Sequence, residues 1–204
     1  MNSPQLSLSR RLRKSPFETR SHVGATKASV YNHVVLPTVY ESLEADYWHL
    51  REHVQIWDVA CQVQVEVRGP DALKFVEFLT PRDVSKCVPG QCIYAPLLDE
   101  HAGVVNDPII LCLSTDHYWL SISDSDVLLW AKGLAVGGGF DVEVHDPDVF
   151  PLSLQGPKSE TLLSRLIAEP VEDIRFFRFI HTRIDDIDLV VARTGWSGQG
   201  GFEL

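Results

Sequence analysis

The strongest constraint on the fold is a segment that occurs twice. Val67-Arg68-Gly69-Pro70-Asp71-Ala72 is echoed 87 residues later by Leu154-Gln155-Gly156-Pro157-Lys158-Ser159. In the first copy Val63, Val65 and Val67 alternate with Gln62, Gln64 and Glu66, the period-two signature of a half-buried strand. Gly69-Pro70-Asp71 then punctuates it, and Ala72, Phe75, Val76 and Leu79 fall at helical spacing. Pro70 or Asp71 suits the first helical turn, where an amide donor is spare and negative charge is favoured. After the second copy the helical stripe is Leu162, Leu163 and Leu166. The chain therefore contains two related units, each opening as strand, turn and helix.

The first unit continues with a strand over residues 91–98, a polar turn at Asp99-Glu100-His101-Ala102-Gly103 and a β-rich run over 104–113, a hairpin by its turn chemistry. Residues 118–122 add a strand. Ser123-Asp124-Ser125 caps a helix carrying Val127, Leu128, Ala131 and Leu134, which Gly137-Gly138-Gly139 ends before Phe140, Val142 and Val144 alternate again. The second unit has strands over 175–182 and 187–193 around Asp185-Asp186, giving β-α-β-β with no second helix. The fold class is α+β, with related β-α-β-β(-α-β) units of which the second is incomplete. Its last strands are expected to lack a lid, which lowers stability and favours self-association, as in a homodimer.

Composition narrows the partners. The chain of 204 residues is 45% hydrophobic, enough for a sizeable core, yet no apolar run nears the roughly 18 residues of a membrane span. A net charge of −10 opposes a nucleic-acid backbone and favours small molecules. Arg10, Arg11, Arg13, Lys14, Arg20 and Lys27 make the N-terminus basic, but residues 9–17 lack an apolar helical stripe, so a structured arm is expected rather than a targeting segment. Cys61, Cys87, Cys92 and Cys112 lack the spacing of a disulfide framework, which points to reduced thiols in a cytoplasm.

Several residues could carry chemistry. His49 and His53 have metal-ligand spacing, but no third ligand accompanies them, and Cys87 and Cys92 have no matching pair; no metal is expected. Gly195-Trp196-Ser197-Gly198-Gln199-Gly200-Gly201 is glycine-rich but lacks the Lys-Ser/Thr of a phosphate loop, and reads as a flexible turn between strands. Asp107, inside an apolar strand run, is a charge that needs a donor or a ligand cation, unless it only caps the turn at Pro108. Glu203, between Phe202 and Leu204, poses the same question. Trp48, Trp57, Trp119, Trp130 and Trp196 are mostly packing candidates, although a cleft lined by two or three could hold a flat heterocycle or a sulfonium.

Taken together, Gly69-Pro70-Asp71-Ala72, Gly103-Val104-Val105-Asn106-Asp107, Leu154-Gln155-Gly156-Pro157 and Arg193-Thr194-Gly195-Trp196-Ser197-Gly198-Gln199-Gly200-Gly201-Phe202-Glu203 resemble the tetrahydrofolate-dependent aminomethyltransferase family. The segments Val30-Tyr31-Asn32-His33, Asn106-Asp107-Pro108 and Ser123-Asp124-Ser125 are most similar to its dimethylsulfoniopropionate-demethylating branch. The glycine-cleavage branch usually has two acids at Asn106-Asp107 and an Asn-Ala pair at Ser123-Asp124. The resemblance implies tetrahydrofolate as methyl acceptor, Asp107 as the active-site acid, and Tyr94, Asp107, Ser123 and Glu203 around the pteridine. It implies a discontinuous first domain, residues 1–53 and 146–204, around an inserted ferredoxin-like domain, 54–145. Complete family members are longer and end in a barrel, so the resemblance also implies a C-terminally truncated chain without one.

The activity implied is methyl transfer from a small sulfonium, dimethylsulfoniopropionate, to N5 of tetrahydrofolate. A neutral thioether leaves without a proton, so orientation and exclusion of water would dominate. The alternatives are aminomethyl transfer, which must expel ammonia and needs more acid–base equipment, and an inactive folate-binding fragment.

Overall fold

The computed structural model describes residues 9–204. The first eight residues of the basic arm lie outside the described residues. The rest of the arm is structured. It holds a one-turn helix α1 (Glu18–Ser21) and a hairpin of β1 (Lys27–Tyr31) and β2 (Val34–Val39). The hairpin turns on Asn32 and His33, both left-handed at φ 45° and 62°, as a two-residue turn between twisted strands requires. Arg13 reaches across to Asp146 at 2.8 Å.

Next come α2 (Leu43–Glu52), capped by the Ser42 hydroxyl, and β3 (Gln55–Asp58). The first unit follows: β4 (Gln64–Arg68), α3 (Ala72–Leu79), β5 (Gln91–Tyr94), β6 (Leu97–Leu98), β7 (Val104–Asn106), β8 (Ile109–Ser114), β9 (His117–Ser121), α4 (Val127–Gly138) and β10 (Glu143–His145). The second unit comprises β11 (Leu152–Gln155), α5 (Ser159–Leu163), β12 (Phe179–Ile184), β13 (Ile187–Ala192) and β14 (Gly201–Glu203).

Two strands expected to be continuous are each split. The 91–98 run breaks at Ala95-Pro96 and the 104–113 run at Asp107-Pro108, because proline has no N–H to give the ladder. The turn between β6 and β7 forms as expected, with Asp99 Oδ1 accepting from the N–H groups of His101 and Gly103 at 2.9 and 2.7 Å. The strand expected from residue 175 begins only at Phe179, since the chain still turns at Phe177, φ 58°.

The repeat holds in three dimensions. One antiparallel sheet has the order β10-β4-β9-β8-β5, and the other, read in the matching direction, β3-β11-β14-β13-β12. Gly69 and Gly156 occupy the same turn at φ 138° and 119°, where a Cβ would lie 2.6 Å from the Asp141 carbonyl oxygen and 2.4 Å from that of His53. The Asp71 N–H donates to Asp141 O, and the Lys158 N–H to His53 O, each at 3.2 Å. Residue 53 thus stands to the second unit as residue 141 stands to the first. The places that α4 and β10 take in the first unit are filled in the second by α2 and β3, drawn from ahead of the first unit. Residues 55–58 accordingly pair with the second sheet.

Each sheet has a helix-covered outer face. Val65, Val67, Tyr118 and Leu120 pack with Phe75 and Val76 of α3 and Ala131 of α4. Leu154, Val191 and Phe202 pack with Leu163 of α5 and with Ile167, Val171 and Ile174. The lid expected to be missing is therefore largely present, although Ile187 stays 65% exposed. Each fully buried large side chain contributes about 1.5–3 kcal/mol. The inner faces meet through Cys92, Ile109 and Leu111 on one side and Phe179, Val190 and Ala192 on the other. Strand alternation also points Gln64, Glu66, Ser153, Gln155 and Glu203 to these inner faces, which places polar groups among the apolar contacts. Glu66 is held there by Trp119 Nε1 at 2.8 Å, His117 Nε2 at 2.5 Å and His145 Nε2 at 2.6 Å.

Candidate functional site

Pro108 breaks the ladder and leaves Asp107 between β7 and β8, free of strand pairing. Its carboxylate accepts the Ser123 hydroxyl on Oδ1 at 2.6 Å and the Tyr94 hydroxyl on Oδ2 at 3.2 Å. Loss of solvent, then the charge and hydrogen bond of Asp107, push the Tyr94 phenol above its ordinary value. The proton therefore stays on Tyr94, and Asp107 remains the acceptor.

Ser123 is itself fixed by two asparagines. Asn106, 4% exposed, donates from Nδ2 to Ser123 O at 3.0 Å and accepts the Ser123 N–H on Oδ1 at 3.0 Å. Asn32 donates from Nδ2 to the carbonyls of Ser123 and Cys61 at 2.9 Å each, and its N–H donates to Asp124 Oδ1 at 2.8 Å. A carboxylate at position 106 could not both donate and accept in this way. The hairpin tip of the arm thus ends in the support of Asp107.

Trp196 stands over the same corner. Its ring meets the edge of Tyr94 at 5.7 Å between centroids and 73° between planes, while 63% of the residue stays exposed. The loop that carries it is pinned, which corrects the expectation of a flexible turn. Ser197 Oγ donates to Gln155 Oε1 at 2.6 Å, and Gln155 Nε2 donates to Ser153 Oγ at 2.9 Å. Gly195 and Gly201 close on this buried amide at φ 130° and 149°, where a Cβ would come within 2.3 and 2.7 Å of Gln155 Nε2.

Glu203 reaches the site from β14. Burial raises its pKa, and the Thr194 hydroxyl, its one hydrogen-bond donor among the described residues, opposes that shift only in part. Asp107, Ser123, Trp196 and Glu203 share the walls of a cavity of about 10 Å³. Glu203 also lines a cleft of about 1040 Å³ between the two sheets, whose other walls include Leu111, Trp119 and Val190. The four residues expected at the site, Tyr94, Asp107, Ser123 and Glu203, therefore converge. Asn32, Asn106, Gln155 and Ser197 join them; each stands in a motif that carries the resemblance, but nothing in the spacing alone assigns them to the site.

The other candidates lie elsewhere. His49 and His53 lie 4.9 Å apart between ring centroids, tilted at 42°, at the end of α2, where Lys158 Nζ meets His53 Nδ1 at 2.6 Å. All four cysteines are buried free thiols, and burial pushes Cys61 and Cys87 up to about 11, which suits packing and not nucleophilic chemistry. Among the described residues no helix is long and apolar enough to cross a membrane.

Residues 17–204 match the family model of the GCVT N-terminal domain. The chain is 49% identical over 197 residues to a dimethylsulfoniopropionate demethylase, DmdA, of Ruegeria pomeroyi, a match covering 96% of this chain and 54% of that protein. An aminomethyltransferase of Halalkalibacterium halodurans is 33% identical over 198 residues, covering 95% of this chain and 54% of its own length. The solved glycine cleavage system aminomethyltransferase T of Bartonella henselae shares the fold, with a TM-score of 0.82 at 24% identity, over 94% of this chain and 53% of that one. The chain spans about half the length of the curated relatives it matches.

Proposed function

Because the chain belongs to the GCVT N-terminal domain family, we propose that it moves a methyl group from a small sulfonium, dimethylsulfoniopropionate, to N5 of tetrahydrofolate. The observation that carries this reading is the corner at Asp107, an anion held by two hydroxyl donors beside Tyr94 and the exposed ring of Trp196. Aromatic rings and a fixed carboxylate are what a sulfonium cation needs, and a neutral thioether leaves without a proton. Asn106, where an acid would serve an ammonia-releasing reaction, is instead committed to Ser123.

The residues present fit tetrahydrofolate. Glu203 is short of donors on the wall of the cleft, and the N–H groups of a pterin supply them. Tetrahydrofolate supplies the nucleophilic nitrogen. Glu203 binds and orients the pterin, Ser123 and Tyr94 hold Asp107, and Asp107 with Trp196 aligns the cation for in-line attack. On this reading residues 1–53 and 146–204 form one unit, which contributes Trp196 and Glu203. The inserted unit, 54–145, whose first strand β3 pairs into the other unit's sheet, contributes Tyr94, Asp107 and Ser123.

The test is to incubate the protein with dimethylsulfoniopropionate and tetrahydrofolate and to follow 5-methyltetrahydrofolate by mass spectrometry. Asp107→Asn should reduce its rate about 100-fold or more, the scale of losing a pre-organised electrostatic group. A 5,10-methylene product from an aminomethyl-lipoyl donor, without the methyl product, would assign aminomethyl transfer. Folate binding without either product would leave a binding module.

A further inference from the structure

We infer that Gln155 is the positioning residue that sets Trp196 and with it the donor end of the site, an inference that rests on the methyl-transfer reading. The repeat singles it out. Gln155 corresponds to Arg68 in the first unit, yet Arg68 is exposed while Gln155 is 1% exposed. An amide is buried at this position only where its bonds can be met.

Those bonds lead to the site. Gln155 Oε1 accepts from Ser197, the neighbour of Trp196, and Gln155 Nε2 donates to Ser153 Oγ at 2.9 Å and Phe202 O at 3.5 Å. Ser197 Oγ in turn accepts the Gln199 N–H at 3.1 Å, which closes the loop on itself. Four glycines, Gly195, Gly198, Gly200 and Gly201, give this loop a backbone with wide freedom. The buried amide selects one conformation of it, the one that puts Trp196 against Tyr94.

Glu203 has ties of its own that do not involve the Gln155 side chain. It is paired with Ser153 across β11 and β14, bonded by Thr194, and followed by the mutual backbone bonds of Leu152 and Leu204 at 2.8 and 2.9 Å. Release of Gln155 should therefore disturb the donor end and leave the folate end in place.

Two variants test this. Gln155→Met keeps the volume and removes the bonds, while Ser197→Ala keeps Gln155 and removes only the tie to the loop. In protein labelled with 5-fluorotryptophan, the Trp196 resonance, assigned by its absence in Trp196→Phe, should shift toward the free amino acid and narrow in both. The KM for dimethylsulfoniopropionate should rise about tenfold, the scale of one buried hydrogen bond, with the Kd for tetrahydrofolate unchanged. An unmoved Trp196 resonance in both variants would overturn the inference. So would equal weakening of donor and folate binding, which marks general loosening. If the wild-type protein transfers no methyl group, the functional reading falls, and the resonance alone decides the role of Gln155.

Discussion

Glu203→Gln should change folate affinity and protein stability in opposite directions. In the liganded protein the carboxylate offers charge-assisted acceptors to the pterin N–H groups, and the neutral amide offers an ordinary one. The difference is about 1–1.5 kcal/mol per bond, or about 2–3 kcal/mol for two donors, equivalent to about 30- to 150-fold in Kd. In the free protein the sign reverses. Burial raises the Glu203 pKa, so its neutral form contributes stability below the usual carboxylate range, and that stability is lost as pH rises through the raised value. Glutamine does not titrate and can still accept from Thr194. The variant should melt above the wild-type protein at pH 8 and level with it at pH 4. Calorimetric titration with tetrahydrofolate and thermal unfolding at both pH values read the two effects. An unchanged Kd, or a lower Tm for the variant at pH 8, would refute the assignment of Glu203 as a buried acceptor facing the ligand.

Glu66 should behave in the opposite sense. Burial alone would raise it, but the bonds from Trp119 and His117 and the charges of His117 and His145 outweigh burial and hold it below the usual carboxylate range. Its stabilisation is present at neutral pH and lost as pH falls through that lowered value, so Glu66→Gln should cost about 1.5–3 kcal/mol in urea unfolding at pH 7 and little near pH 3. Gly69→Ala and Gly156→Ala should each cost about 2–3 kcal/mol, since both force a Cβ onto a carbonyl oxygen at positive φ. Widely different losses at the two glycines would contradict the equivalence of the units.

What the sequence makes legible is local. The helices α3 and α4 follow from the spacing of Phe75, Val76, Val127 and Ala131, and β4 from its alternating valines, because each depends on neighbours within a turn or two. Asp107 and Glu203 stand out because an acid within an apolar run needs a partner. By contrast, β3 is four residues long and finds its partner β11 about a hundred positions away, which no window detects. Asn32 looks like any turn asparagine until the hairpin delivers it to Ser123. The glycines at 195–201 resemble a mobile turn because Gln155, which fixes them, lies some forty residues earlier.

The borrowed edge strand also imposes a schedule. Gln55 pairs with Gln155, so at about 5–20 residues per second a ribosome completes β3 about 5–20 s before its partner exists. Meanwhile the whole intervening unit, with its own sheet and covering helices, can close. The second sheet can thus assemble around a closed neighbour, and the cleft between the sheets comes into being only when later-made strands reach a strand made about a hundred residues before them.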